Sequence, residues 1–175
     1  MSSERRVFLT GTERRFADNE IIVSKTDPAG VITYANEVFQ RMAGYDEGEL
    51  LGKPHSIIRH PDMPRCVFKL LWDTIAAGQE IFAYVVNRAR NGDHYWVFAH
   101  VTPNFSPSGK IIGYHSSRRS PDRGAVEAAR GLYAALLAEE KRHGDPKAGL
   151  SASFNMFVDL LGQKGVGYDK FVLGL

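Results

Sequence analysis

The sequence predicts an α+β fold: one five-stranded antiparallel sheet, short helices packed on a face of it, and a helical extension beyond. Three observations carry this. Two β-rich runs sit close together near the start of the chain. Three more follow one another as a meander in the second half. Between the two groups lie short amphipathic segments broken by proline and glycine.

Ile21–Thr26 and Val31–Tyr34 form the first hairpin. Its connection, Asp27-Pro-Ala-Gly30, is a turn in which proline presets φ and glycine supplies positive φ. Asn36 opens a helix with Val38, Phe39, Met42 and Ala43 on one face, and Gly44 ends it. Asp46–Leu51 offers a further helical turn stopped by Gly52. Lys53–Pro64 holds two histidines and three prolines, so it reads as loop with one turn near Ser56–Ile58. Pro64–Ala77 is a helix with Val67, Leu70, Leu71 and Ile75 inward and Trp72 beside them. Ile81–Arg88, His94–Thr102 and Lys110–Ser117 are strands, with Pro103 near the end of the second. They are joined by Arg90-Asn-Gly-Asp93, the strongest short hairpin signal, and by Ser106-Pro-Ser-Gly109. After Pro121-Asp122 an apolar stripe (Val126, Ala129, Leu132, Tyr133, Leu136, Leu137) predicts a helix to about Arg142, docked on the core or on a second subunit. His143–Pro146 reads as a linker, Ser151–Leu161 as another amphipathic helix, and the rest as a glycine-interrupted apolar tail. This divides the chain into an N-terminal arm (1–20), a core (21–120) and a C-terminal extension (121–175).

Composition narrows the function. A chain of 175 residues, 43% hydrophobic and 24% charged, suits one globular domain. A net charge of +2 without a basic run predicts no nucleic-acid binding. The lone cysteine, Cys66, excludes an internal disulfide and a metal site of paired cysteines. No apolar run reaches the ~18 residues of a membrane span, and the start does not read as a signal peptide. A cytoplasmic protein is expected. No nucleophile elbow, P-loop, HExxH or GxGxxG is present, so catalysis is not expected.

One stretch concentrates polar chemistry. Arg59-His-Pro-Asp-Met-Pro64 places a cation, an imidazole and a carboxylate within four residues, stiffened by two prolines. It reads either as the wall of a site for a polar, planar ligand or as a surface turn capping the next helix, with Asp62 at its positive end.

These residues resemble a PAS domain. Ile32-Thr-Tyr-Ala-Asn36 with Phe39, Gly44-Tyr45, Glu49-Leu50, Gly52-Lys-Pro-His55 and Trp72 carry the general pattern. Arg59–Pro64 together with Arg90-Asn-Gly-Asp-His-Tyr-Trp96 resemble the flavin-binding PAS domain of bacterial aerotaxis receptors. The resemblance covers roughly residues 20–120. It implies a pocket holding FAD, whose redox state sets a signal. The chain departs from those receptors beyond the core: only residues 121–175 stand where they carry a membrane anchor and a signalling domain. It is therefore either a stand-alone sensor or a fragment, and its output partner is open.

The resemblance assigns cofactor binding to Asn36, Arg59, His60 and Asp62, with Arg59 suited to pyrophosphate and His60 and Asp62 to flavin or ribose. Asn36 reads equally as a helix N-cap. Trp72 and Asn87 would lie near the isoalloxazine ring; asparagine is disfavoured in strands, and its amide matches both edges of the flavin pyrimidine. Trp72 is otherwise core filling. Tyr95 and Trp96 must face opposite ways, and Trp96, sharing parity with Phe98, is expected in the pocket. His55 and His60 keep a haem-binding gas sensor open as the alternative. A cofactor-free interaction module is the other. Cys66 lacks the sequence surroundings of photosensory domains and reads as a structural thiol. The expected function is a FAD-binding redox or oxygen sensor in signal transduction, as a homodimer.

Overall fold

A computed structural model describes residues 8–175. Arg5, Arg6 and Val7 of the expected arm lie outside the described residues. The first hairpin forms from β1 (Ile22–Thr26) and β2 (Ile32–Ala35). Asp27 builds its turn by accepting from the backbone N–H of Ala29 and of Val31, each at 2.9 Å. Gly30 is required there twice over: its φ is 81°, and a Cβ would sit 2.9 Å from the Trp72 ring.

Helices α1 (Glu37–Ala43) and α2 (Glu47–Leu50), a 3-10 turn (His55–Ile58) and α3 (Arg65–Ala76) then cross one face of the sheet. The meander is β3 (Ile81–Arg88), β4 (His94–Phe105) and β5 (Ile111–Arg119). The strand order is β2-β1-β5-β4-β3, antiparallel throughout, with β5 returning to pair with β1 from Ile22–Arg118 to Thr26–Tyr114. β4 continues past Pro103, beyond the expected end at Thr102. β3 begins opposite Val101, so Pro103 has β5 as its one neighbour and no second ladder needs its missing N–H.

The C-terminal extension covers the other face. α4 (Arg123–Lys141) is capped by Asp122, and its stripe of Val126, Ala129, Tyr133 and Leu136 is buried against the sheet. Of the two dockings expected for that stripe, the chain's own core is the one observed. α5 (Pro146–Lys164) starts five residues earlier than expected, because Asp145 caps it by accepting from Ala148 N–H and Pro146 fits its first turn. The tail closes in a short helix, α6 (Tyr168–Val172).

The extension also covers the exposed edge of β3. Backbone groups of alternate residues point off that edge, where an unpaired strand invites aggregation. The Tyr168 hydroxyl donates to Phe82 O at 2.7 Å, the Tyr133 hydroxyl donates to Tyr84 O at 2.5 Å, and Val86 N–H donates to Met63 Sδ at 3.4 Å. The N-terminal arm is tied down as well: Arg14 pairs with Asp93, and Glu13 takes both arms of Arg123. No helix among the described residues is long and apolar enough to cross a membrane.

Candidate functional site

A cavity of about 460 Å³ lies between α3, the 3-10 turn and the helix-covered face of the sheet. That volume falls within the roughly 300–1,000 Å³ of small-molecule sites. The room exists because the sheet residues beneath it are small: Ser24, Thr26, Ala99 and Ser116. Phe68, Leu71, Trp72 and Ile75 of α3 form the opposite wall. Trp72 meets Tyr114 edge-on at 5.6 Å and closes over Gly30. Arg59, Arg65 and Lys69 also line the cavity, giving it three cations toward α3.

The cavity's polar chemistry centres on Arg118. It is 2% exposed, and among the described residues no carboxylate is paired with it. Its Nη2 donates to Ser24 Oγ at 2.5 Å and its guanidinium lies 4.5 Å from the Phe39 ring centroid. Its Nε and Nη1 have no partner. Burial pushes its pKa down to about 10, a measure of how poorly the surroundings repay the lost hydration. Beside it, burial first and the Arg118 charge second lower the His55 pKa to about 3, so this imidazole is neutral. Ser24 Oγ lies 3.1 Å from His55 Nε2. A hydroxyl that accepts from Arg118 has its proton free for that nitrogen, which makes Arg118, Ser24 and His55 one polar chain along the wall. On the far side Asn87, 5% exposed, points an unpartnered Nδ2 amide into the same region. Such orphaned donors cost free energy unless something accepts from them.

Of the residues singled out from sequence, the structure gathers Arg59, Trp72 and Asn87 at this cavity. The other four lie outside its lining. Asn36 spends its amide on the backbone: Oδ1 accepts from Phe39 N–H and Val23 N–H, each at 3.0 Å, and Nδ2 donates to Ile21 O at 2.8 Å. The helix-capping alternative is thus the geometry observed. His60 and Asp62 lie in a separate groove with His94, Arg130 and Lys141. His60 Nδ1 accepts from Asp62 N–H at 3.1 Å, and the His60 and His94 rings meet at 5.8 Å. Trp96 corrects the parity expectation: it points away from the cavity, stacking on Tyr133 of α4 at 6.1 Å. Tyr95, across from Asn87, takes the inward position instead and is fully buried. Parity with an apolar Phe98 misleads because the outer face is itself covered by α4 and therefore apolar. Cys66 does not line the cavity; burial raises its pKa, as for an inert structural thiol.

The split of Arg59 from His60 has a local cause. Arg59 is extended and bridges Asn87 on the edge strand β3, and the chain turns just after His60, where Met63 N–H donates to His60 O at 3.1 Å. Successive side chains therefore fall on opposite sides. Sequence reasoning misses Arg118 and Ser24. A last strand ending at Ser117 stops one residue short of Arg118, although its parity with Tyr114 and Ser116 would turn it inward.

Comparison with known proteins agrees with this architecture. A family model described as the PAS fold matches residues 32–118. The aerotaxis receptor of Escherichia coli (strain K12) is 40% identical over 131 residues, which are 75% of this chain and 26% of the receptor. The nitrogen fixation regulatory protein of Klebsiella pneumoniae is 31% identical over 99 residues, 57% of this chain and 20% of that protein. The chain thus spans about a quarter or less of the length of these relatives. Among solved structures, the dark structure of the blue-light photoreceptor Aureochrome1 LOV matches with a TM-score of 0.56 at 22% identity, covering 63% of this chain and 82% of that one. A light-oxygen-voltage domain studied with a flavin analogue matches at 0.54 with 18% identity, covering 70% and 87%. With its antiparallel sheet, crossing helices and the cavity between them, the chain belongs, through residues 32–118, to the PAS-fold family.

Proposed function

We propose that the cavity binds a flavin non-covalently, as FAD, and that the protein is a redox or oxygen sensor of the aerotaxis type acting in signal transduction. The observation that carries this reading is the buried Arg118, paired with no carboxylate among the described residues, with two free donors at a largely apolar cavity. A flat ring with carbonyl acceptors along one edge, and more negative charge once reduced, supplies what that guanidinium lacks. Asn87 supplies a further unpartnered donor to the same cavity. Arg59, Arg65 and Lys69 are placed to neutralise a diphosphate, which is the reason to prefer FAD over a mononucleotide. The similarity to an aerotaxis receptor supports the sensory role.

When bound, the flavin supplies the electron-accepting chemistry; the chain supplies position and electrostatics. Arg118 stabilises added negative charge from a fixed, water-poor position. Neutral His55, joined to it through Ser24, holds the Ser24 hydroxyl in place beside Arg118. A change at Arg118 reaches Ser24 on β1 and, through the β4–β5 ladder, Ala99 on β4. Output to a downstream signalling protein, and a homodimer, belong to the same proposal; the α4 stripe does not support a dimer, since it is spent on the chain's own sheet.

The haem alternative is weaker, because His55 Nε2 is engaged by Ser24 and His60 lies outside the cavity. Absorption of the freshly purified protein, followed by mass analysis of the chromophore released on denaturation, tests the reading. Released FAD is the expected result. Released FMN would keep the flavin and remove the diphosphate role. A Soret band, or colourless protein that takes up neither added flavin, would overturn it.

A further inference from the structure

The helix that walls the cavity is capped from a distance. α3 comes after Pro64, which offers no side chain to its free N–H groups. Glu140, near the end of α4 and 7% exposed, accepts instead from the backbone N–H of Cys66 at 3.1 Å. The same carboxylate accepts from Ser153 Oγ of α5 at 3.1 Å and from Arg65 Nε at 3.1 Å. One buried anion therefore ties the cavity wall to both long C-terminal helices. α5 lies so close that a Cβ on Gly149 would stand 2.5 Å from the Glu140 carbonyl oxygen.

Arg65 serves two sites. Its Nε is held by Glu140, while the side chain lines the cavity and is 37% exposed. Among the described residues it is the cation paired with Glu140; Lys69 pairs with Asp73 and Arg59 lies over the Phe68 ring. An anionic group at the same wall draws on the guanidinium that neutralises Glu140.

We propose that Arg65 is shared between a phosphate of the bound ligand and Glu140, so that ligand binding and the docking of α4 and α5 oppose each other. The inference rests on the flavin reading and adds to it a route from the cavity to the C-terminal helices. A buried carboxylate that loses its ion-pair partner is less well compensated; Glu140 would keep its hydrogen bonds from Cys66 and Ser153 and the charge of Arg59 nearby. Coupling of this kind is reciprocal: whatever frees Arg65 from Glu140 strengthens its hold on the ligand.

Glu140→Gln keeps an acceptor for the Cys66 N–H and replaces the charged oxygen that holds Arg65 with an amide NH2 donor, so the guanidinium is released. Titration of wild-type and Glu140→Gln protein with FAD and with riboflavin, which has the ring but no phosphate, separates the possibilities. Glu140→Gln is expected to bind FAD about fivefold more tightly and riboflavin unchanged. Added to Arg65→Gln, it is expected to change FAD affinity no further. In the wild type, which needs no variant to fold, saturating FAD is expected to speed amide exchange across residues 146–164 and riboflavin is not. Equal affinity of wild type and Glu140→Gln for FAD would overturn the coupling and leave the flavin reading standing. Equal gains for both ligands, or FAD-independent exchange in α5, would do the same. A wild type that binds neither ligand would remove both.

Discussion

The fold around Arg118 leaves much of its guanidinium without a partner among the described residues. A guanidinium at 2% exposure with two unpartnered nitrogens has lost its hydration without regaining it in the protein. Replacing it with a methionine of similar reach is therefore expected to raise the stability of the ligand-free protein, by about 1 kcal/mol or more. Denaturant titration of the ligand-free protein measures this. His55 gives a pH signature. Its folded-state pKa is lowered from 6.5 to about 3, so below pH 6.5 the unfolded chain takes up a proton that the folded chain refuses. This contribution to stability is intact above pH 6.5 and falls steadily toward pH 3. In that window the stability-against-pH slope is expected to be shallower in His55→Gln than in the wild type, by about 1.4 kcal/mol per pH unit. Unfolding curves at pH 6, 5 and 4, on the scale fixed by that shift, check it. At this scale the sequence is only partly legible. Asn87 stands out because asparagine is unusual in a strand, and it does line the cavity. Arg118 does not, because an arginine at the frayed-looking end of a strand resembles a solvated one.

The elements are more legible than the side chains, because turn chemistry is local. The Asp27–Gly30 and Asn91–Gly92 connections announce themselves in sequence and fold accordingly. Sequence alone does not show which strands and helices meet. The stretch at Arg59–Pro64 reads as one wall or as a surface turn; turning beside the edge of β3, it divides between the cavity and a separate groove. β3 itself shows what the C-terminal helices are for. Tyr133 and Tyr168 satisfy carbonyls on its open edge, at Tyr84 and Phe82. Tyr133→Phe and Tyr168→Phe are each expected to cost about 1 kcal/mol of stability, the usual net worth of one such hydrogen bond, measurable in urea. Gly30→Ala is expected to cost at least as much, since alanine would have to adopt a φ of 81° against the Trp72 ring.

Across the whole molecule, the sheet is packed on both faces, with the cavity on one and the extension on the other. The α+β class, the single sheet and its five strands follow from the order of local signals. The two-sided arrangement does not, because an apolar stripe on a helix fits a partner subunit as well as its own core. Truncation after Ser120 would bare Tyr84, Trp96 and the β3 edge together. Such a fragment is expected to self-associate beyond any assembly the full chain forms, as light scattering over a concentration series can show.

The proposed flavin site turns on the buried Arg118 cation. Titrating ligand-free wild type and Arg118→Met with FAD under identical conditions is the decisive comparison. Saturable one-to-one binding by the wild type, weakened about tenfold or more in Arg118→Met, is the expected result, since a charge-assisted contact at a buried site is lost. Equal affinity of the two proteins, or no binding to the wild type, would contradict it.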